Sequence, residues 1–360
     1  MNLADLLSYA DIGELARIAK TYNCNCNTNS KNQLIQSILV QIGRRDVFES
    51  HFSTMTMEDV RLLNSLLFDA RDSYTLEELT ARVKQTQFDS KSLNQANPRD
   101  TINRFKQMGW LFNGSSSQTK YLFHMPRDLK GRFSDTIIKQ MQLKVDVIHE
   151  TPTIYRDEQL LMLDDLLYFL RYLSQNNVTL SSEGYMYKRY LNQIMEGMAV
   201  KEEQMTRPVW RFGYGRRFKE YPNRFSLIYD FAYDVGLVEE QEHSLRLTEV
   251  GRQRVQESLK EDHEQLYRFW LKQYKSAIPN LQPIVYWIAR MTQHWVTYDS
   301  LKNVICAYIK PYYYDSTHSI FDQRIIMMMM HLGLLRIGEH DRYGRVIQTS
   351  KLSSMLVTGK

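Results

Sequence analysis

The fold of this chain is decided by a short motif that occurs three times: Met108-Gly109-Trp110-Leu111, Val235-Gly236-Leu237-Val238 and Leu332-Gly333-Leu334-Leu335. In each copy a helical pattern stops at the glycine, and apolar residues typical of a strand follow it. A glycine just past the last helical turn takes the left-handed C-cap conformation at little cost. Each motif therefore predicts a junction between a helix and a β-strand.

A threonine lies upstream of each glycine, where we expect it to cap a short helix: Thr75, Thr179 and Thr297. Thr75 and Glu78 have the spacing of a capping box, in which each side chain accepts a hydrogen bond from the other's backbone. Longer amphipathic helices are predicted before these threonines, over 57–70, 157–173 and 283–292. Two strands joined by a polar turn follow each glycine. The predicted order, three times, is helix, capped helix, helix and hairpin.

Three helices followed by a two-stranded hairpin resemble the winged helix-turn-helix. We therefore expect a mainly α fold of three tandem winged helix-turn-helix domains with small β-hairpin wings, preceded by a small three-helix domain. The predicted domains are a helical head over 1–45 and winged helices over 46–150, 151–260 and 261–360. The segments most typical of linkers are Gly43-Arg44-Arg45-Asp46, Thr151-Pro152-Thr153 and the polar stretch 256–264.

Length and composition limit the class of protein. The chain has 360 residues, of which 43% are hydrophobic, enough for two to four packed domains. No apolar run exceeds six residues, the length of 325–330, which is far shorter than the roughly 20 residues of a membrane span. The three cysteines, Cys24, Cys26 and Cys306, form neither a disulfide framework nor a four-ligand zinc pattern. We expect a cytoplasmic protein that contacts no membrane and binds no metal.

No catalytic constellation emerges from the sequence. Acidic pairs such as Glu202-Glu203 are adjacent, and adjacent helical residues do not face each other. The sequence contains no phosphate-binding loop, no H-E-x-x-H and no G-x-S-x-G motif. We therefore expect a protein that is not an enzyme, with no catalytic residues and no cofactor.

The head carries a second resemblance. Ser30-Lys31-Asn32-Gln33-Leu34-Ile35 resembles the opening of the second helix in the SAP and Rho N-terminal family of small nucleic-acid-binding domains. The resemblance implies that Lys31 contacts the backbone of bound nucleic acid. The alternative is a helical leader that packs on the first winged helix, and both remain open at this stage.

The whole arrangement, a helical head followed by winged helices with a Leu-Thr-x-x-Gly wing at 247–251, resembles the non-motor N-terminal region of bacterial proteins of the XPB/Ssl2-like helicase family. The likeness is architectural and covers most of residues 55–355. Since the motor's phosphate-binding loop is missing, the resemblance implies a helicase-associated role in DNA metabolism without translocation.

The third helix of the first winged helix is the best candidate for a DNA-reading helix. It opens at Asn97-Pro98, and its apolar residues fall on one side. The opposite side carries polar and cationic residues at helical spacing: Arg99, Asn103, Lys106 and Gln107. Such side chains reach phosphates and base edges in the major groove. The alternative is an ordinary solvated face, and we favour DNA contact.

The other two third helices suit DNA less well. In the helix over 222–235, Asp230 and Asp234 are expected to be exposed and to repel phosphate. The helix over 316–332 is apolar on nearly every side, which predicts that it is buried. Because methionine is favoured at adaptable surfaces, its four methionines alternatively indicate a protein partner or self-association through this third winged helix.

The second winged helix contains an insert. Thr179 and Gly236 are 57 residues apart, against 34 for Thr75 and Gly109, so about twenty residues have been added. Within 207–221 cations alternate with aromatics, a pattern typical of nucleic-acid binding, and the predicted contacts are Arg207, Trp210, Arg211, Tyr214, Arg216, Arg217 and Lys219.

Two alternatives accompany this prediction. The aromatics of the insert pack on their own domain while its arginines face water or pair with Glu202 and Glu203. Further along the chain, Lys310-Pro311-Tyr312-Tyr313-Tyr314 offers rings that either stack on bases or form a packed turn.

The sequence thus favours a non-enzymatic, DNA-binding protein of tandem winged helices acting in transcription, replication or repair, with duplex DNA favoured over single strands. The alternative is a protein-interaction scaffold whose winged helices dock a helicase, a polymerase or a partner subunit.

The insert yields a first prediction. Each cation that neutralises a phosphate lowers the slope of log affinity against log salt by about 0.9 on duplex DNA. Replacing Arg211, Arg216 and Arg217 by glutamine should reduce the magnitude of that slope by about two to three, measured by fluorescence anisotropy at several salt concentrations. Trp210→Ala should instead cost about 1–3 kcal/mol of affinity, mainly on single strands. Unchanged affinity and slope would favour the scaffold.

Overall fold

The computed structural model describes residues 1–69, 71–88, 97–202, 212–216 and 221–358. The chain is mainly helical, and the strands in these ranges form three small antiparallel sheets. It divides into two compact units, Met1–Leu143 and Lys144–Lys360. Among the described residues, no helix is long and apolar enough to cross a membrane.

The first unit contains the head and the first repeat. The head has the helices α1 (Leu3–Tyr9), α2 (Ile12–Thr21) and α3 (Lys31–Gly43), and a further helix, α4 (Arg45–Ser53), follows it. The repeat has α5 (Met57–Leu67), β1 (Ser73–Tyr74), α6 (Leu76–Thr86), α7 (Pro98–Gln107), β2 (Phe112–Asn113) and β3 (Phe123–His124). The helix α8 (Arg127–Gln142) follows, and the strand order of the sheet is β1-β3-β2.

The second unit contains the other two repeats. It begins with β4 (Val147–Ile148) and β5 (Ile154–Asp157). The second repeat has α9 (Leu161–Gln175), β6 (Val178–Thr179), α10 (Lys188–Gly197), α11 (Asn223–Asp234), β7 (Val238–Gln241), β8 (Ser244–Leu247) and α12 (Glu249–Glu257). Its strands are ordered β6-β8-β7.

The third repeat has α13 (His263–Tyr274), α14 (Leu281–Met291), β9 (Trp295–Thr297) and α15 (Tyr298–Cys306). Its third helix runs continuously over 317–331, as α16 (Thr317–Ser319), a π-helical stretch (Ile320–Ile326) and α17 (Met327–His331). The strands β10 (Leu335–His340) and β11 (Gly344–Thr349) follow, then α18 (Lys351–Ser353) and a π-helical turn (Ser354–Thr358). The sheet of this repeat is ordered β4-β9-β11-β10-β5.

The three predicted glycine junctions are confirmed. Gly109, Gly236 and Gly333 have φ angles of 64°, 71° and 66°, the left-handed conformation that favours glycine. At the first junction the N–H of Gly109 donates to the carbonyl of Lys106 and that of Trp110 to Phe105, the paired bonds of a Schellman motif. Each junction thus ends a helix and turns the chain toward a strand.

Two of the three predicted threonine caps are confirmed. Thr75 and Glu78 form the reciprocal capping box, and the Thr297 side chain accepts a hydrogen bond from the backbone of Ser300. The prediction for Thr179 is wrong, because Thr179 ends β6 and the next helix begins only at Lys188. There the chain first makes a turn closed by pairing of Leu180 with Met186.

The head packs directly on the first repeat. The Tyr22 hydroxyl donates to the carbonyl of Met108 at 2.9 Å, at the end of α7. A Cβ at Gly109 would lie 3.4 Å from methyl carbons of Ile18 and Ile42, so α2 and α3 approach the glycine junction closely. The predicted boundary at 45/46 therefore does not separate two compact bodies.

The predicted linker at 151–153 lies between two strands of one sheet. β4 pairs with β9 at one edge, and β5 pairs with β10 at the other edge. The connection passes close over Gly338, where an added Cβ would lie 2.7 Å from Pro152. The predicted boundary at 150/151 thus falls inside a segment that belongs to the sheet of the third repeat, and the compact units divide at 143/144.

A buried set of charges joins the elements of the second unit. Arg224 on α11 lies 2.5 Å from Asp165 on α9 and 3.6 Å from Glu158, measured between side-chain nitrogen and oxygen. His331 on α17 contacts the same carboxylate, with 2.9 Å between its Nδ1 and Oε2 of Glu158. All four residues are at most 3% exposed. An unpaired charge at this depth costs several kcal/mol, so each partner requires the others.

Glu158 gives this cluster a pH dependence. Burial alone would raise its pKa, but the hydrogen bond with His331 and the charges of His331, Arg156 and Arg224 lower the pKa below its ordinary value. A carboxyl whose pKa is lowered by folding stabilises the fold above the unfolded pKa, near 4.3 for glutamate, and loses that contribution as the pH falls through the folded-state value.

We therefore predict that Glu158→Gln lowers the free energy of unfolding by about 3 kcal/mol at pH 7, because it leaves Arg224 short of a counter-charge. The difference from the unsubstituted protein should shrink as the pH falls below about 4.3. Urea unfolding at pH 7, 5 and 3 measures both effects, because the lowest pH lies well below the unfolded-state pKa of glutamate. Glu249→Gln, at a side chain that is 86% exposed, is the control. A constant difference at all three pH values would contradict the assignment.

Candidate nucleic-acid interface

The helix α7 presents three of its predicted contact residues on one exposed face. Arg99, Asn103 and Gln107 are spaced by four residues and are all exposed, whereas Ile102 and Phe105 are buried on the other side. The Asn97 side chain accepts a hydrogen bond from the backbone of Arg99 and fixes the start of the helix. The structure thus brings together one guanidinium and two amides in the arrangement that the sequence predicted.

Lys106 is held differently from its neighbours. Its Nζ lies 2.5 Å from Oδ1 of Asn113 in β2 and 3.5 Å from Oε1 of Glu14 in α2. The Glu14 side chain is only 12% exposed. The charge of Lys106 is therefore partly offset by a carboxylate of the head.

A cleft of about 250 Å³ lies between α2 and α7, lined by Glu14, Arg17, Asn103, Lys106 and Gln107. Arg17 is exposed and adds a cation that sequence reasoning missed, because only the packing of α2 on α7 places it there. Lys31 is exposed at the first residue of α3, after its N-cap Ser30. It is not among the described residues that line this cleft.

The third helix of the second repeat, α11, is buried on nearly all sides. The expectation that Asp230 is exposed was wrong: it is 2% exposed, and its Oδ2 accepts hydrogen bonds from the backbone of Arg216 and from the side chain of Gln273. The insert and α13 cover it. Asp234 is exposed, as expected.

The third helix of the third repeat is also buried, which confirms the prediction from its composition. Met328, Met329 and Met330 are at most 2% exposed, inside their own unit. Arg324 of this helix donates to the Asn223 side chain of α11 at 2.6 Å. Met327, the fourth methionine of this helix, is half-buried.

Residues 212–216 and Tyr221 are the described parts of the insert, and the predicted contacts Arg207, Trp210, Arg211, Arg217 and Lys219 lie outside the described residues. Tyr214 is 3% exposed. Its ring centroid is 4.9 Å from that of Tyr274, and the Arg324 guanidinium lies 4.4 Å from it. Burial raises the pKa of the Tyr214 hydroxyl. Tyr214 thus anchors the insert and does not offer a face for stacking.

Arg216 is exposed but has partners. Its guanidinium lies 3.6 Å from the Tyr233 ring centroid and 3.6 Å from Oε1 of Glu240, and 42% of its side chain is exposed. Glu240 partly offsets this charge. We therefore expect the triple glutamine variant of the insert to reduce the magnitude of the salt slope by an amount nearer two than three.

The insert meets the tyrosine-rich segment of the third repeat. The Phe212 ring centroid is 4.9 Å from that of Tyr313 and 6.4 Å from that of Tyr312, and the latter pair is nearly parallel at 14°. Tyr313 and Tyr314 are 73% and 76% exposed. We call Phe212, Tyr312, Tyr313 and Tyr314 the aromatic cluster. Two segments that the sequence singled out separately therefore form one surface.

No three His, Cys, Asp or Glu side chains among the described residues come together as a metal site. Sγ of Cys306 lies 3.6 Å from Nδ1 of His318, but burial raises the pKa of the thiol to about 11. This pair is therefore not an activated nucleophile.

Comparison with known proteins gave no assignment: no protein-family model matches the chain, and no curated protein matches it either.

Proposed function

We propose that this protein binds DNA without catalysing a reaction, as a set of tandem winged helices acting in transcription, replication or repair. The strand order supports the winged-helix assignment. In each repeat the second hairpin strand lies between the first and a short strand that precedes the second helix, in the orders β1-β3-β2, β6-β8-β7 and β9-β11-β10. Three helices and such a hairpin are the elements of a winged helix-turn-helix.

The exposed polar face of α7 is the observation that carries the proposal. A recognition helix must keep its apolar side in the core and direct amides and guanidinium groups to the groove. Arg99, Asn103 and Gln107 meet this requirement. Asparagine and glutamine pair with adenine, and arginine pairs with guanine or with phosphate. The third helices of the other two repeats are buried, so we assign groove reading to the first repeat.

The burial of α11 and of the helix over 317–331 also favours the alternative function for the second unit. A winged helix whose third helix is covered cannot insert it into a groove. The second unit then serves as a scaffold for a helicase, a polymerase or a partner subunit.

Substitutions on α7 separate these functions. Arg99→Gln should reduce the magnitude of the salt slope on a 20-base-pair duplex by about 0.9, because one phosphate is no longer neutralised. Asn103→Ala with Gln107→Ala should leave that slope unchanged and weaken selection among sequences by about 1–3 kcal/mol for each base that is no longer read. Anisotropy titrations and selection from a random duplex library measure the two effects. Lys144→Gln, at another exposed cation, is the control. Unchanged duplex binding by the α7 variants would contradict groove reading by α7 and favour the scaffold function.

Glu14 provides a test in the opposite direction. Glu14→Gln removes the carboxylate that faces Lys106 and leaves the lysine charge free to meet phosphate. We expect tighter duplex binding and a salt slope steeper by up to about 0.9. Glu49→Gln removes a carboxylate of the same unit that does not line the cleft and should change neither quantity. Weaker duplex binding by Glu14→Gln would contradict the assignment of this face.

A further inference from the structure

The tyrosine-rich segment forms a closed turn that places two large rings at its tip. The backbone N–H of Tyr312 donates to the carbonyl of Asp315 at 3.0 Å, and the N–H of Asp315 donates to the carbonyl of Tyr312 at 2.9 Å. Tyr313 has a φ of 47°, a conformation that bulky residues rarely adopt. The turn therefore holds a strained backbone while its rings, at 73% and 76% exposed, bury little area of their own.

Contacts with Arg324 and with the backbone of the insert hold this turn in place. Asp315 is paired with the buried Arg324 at 3.1 Å. Tyr312 packs on the backbone of the insert, where a Cβ at Gly213 would lie 2.9 Å from the tyrosine ring. Gly213, with a φ of 86°, is thus required both by its conformation and by this close approach. Phe212 is held beside Tyr313, with 4.9 Å between the ring centroids, so these two rings are arranged before any ligand arrives.

The charges around the aromatic cluster suit a polyanion. Lys310 is exposed two residues before Tyr312. Lys275 is exposed beside Ser276, whose hydroxyl lies 3.5 Å from the carbonyl of Gly213. Of the described carboxylates of these segments, Asp315 is paired with Arg324, and Asp230, which accepts a hydrogen bond from the backbone of Arg216, is 2% exposed.

We propose that the aromatic cluster binds unpaired bases of single-stranded nucleic acid, as a second site distinct from the duplex-reading face of α7. Exposed rings beside cations are the two components of single-strand recognition, because bases stack on the rings while the cations follow the phosphates. Bases in a duplex are already stacked on each other and do not reach such rings. If the aromatic cluster instead bound a protein, it would require an apolar partner surface, and this protein would show no preference for unpaired bases there.

The test uses the full chain and two probes, fluorescein-labelled oligo(dT) of 20 nucleotides and a 20-base-pair duplex. Replacing both Tyr313 and Tyr314 by alanine should weaken oligo(dT) binding by roughly 5- to 100-fold and change duplex binding by less than about twofold. Replacing both by phenylalanine keeps the rings and should keep the affinity. Tyr9→Ala, at a ring that is 60% exposed in the first unit, is the matched control.

A second measurement locates the contact. Oligonucleotides that carry 5-bromodeoxyuridine should crosslink under ultraviolet light to Phe212, Tyr313 or Tyr314, as mapped by mass spectrometry. Oligo(U) in a parallel titration distinguishes RNA from DNA as the preferred strand, and preference for either supports the site.

Four outcomes would overturn the proposal: no binding of oligo(dT) or oligo(U) by the unsubstituted protein, unchanged binding by the double alanine variant, full retention by a double leucine variant, or equal losses on single strand and duplex. Failure of the α7 substitutions to affect duplex binding would refute the proposed function while leaving this site intact. The two proposals are therefore tested independently.

Discussion

The guanidinium of Arg224 lies within 3.6 Å of two buried carboxylates. The elements of the second unit are arranged so that this buried charge is paired. Asp165 comes from α9, Glu158 from the end of β5 and His331 from α17, so the charges connect the second repeat with the third. Glu202 accepts hydrogen bonds from the backbone of Arg224 and Phe225 and caps the start of α11. A buried charge without its partners is too costly to tolerate, so these elements assemble together.

This assembly explains why the repeats differ in their surfaces. Arg224 and Arg324 both lie on third helices, and both are buried by contacts between the second and third repeats. Most side chains of these two helices are buried and leave little of either helix for a groove. In the first repeat the corresponding helix, α7, has its end covered by the head but keeps Arg99, Asn103 and Gln107 exposed. Repetition of one motif thus gives one candidate reading helix and two structural helices.

The same packing creates the aromatic cluster. Tyr214 and Arg324 form a buried base on which Gly213, Phe212 and the tyrosine turn are stacked. The aromatic rings of the insert therefore have two different roles. Tyr214 anchors the segment, and Phe212 contributes to the exposed surface. Composition alone does not separate these roles, because both rings belong to the same Gly-flanked run.

By itself the sequence determined the local structure: the glycine junctions at Gly109, Gly236 and Gly333, the capping box of Thr75 and Glu78, and the burial of the methionine-rich helix. These features depend on backbone conformation, on hydrogen bonds three to five residues apart and on apolar periodicity, all of which are written in contiguous residues. The polar face of α7 was predictable for the same reason.

Only the tertiary structure decided which surfaces remain available. The offset of Lys106 by Glu14, the burial of Asp230 and Tyr214, and the contact of Phe212 with Tyr313 all join residues far apart in the chain. The strands β4 and β5 likewise pair with partners more than a hundred residues away. Such contacts are set by how the packed elements bury their charges and apolar faces together, and no local pattern specifies which distant partner a side chain meets.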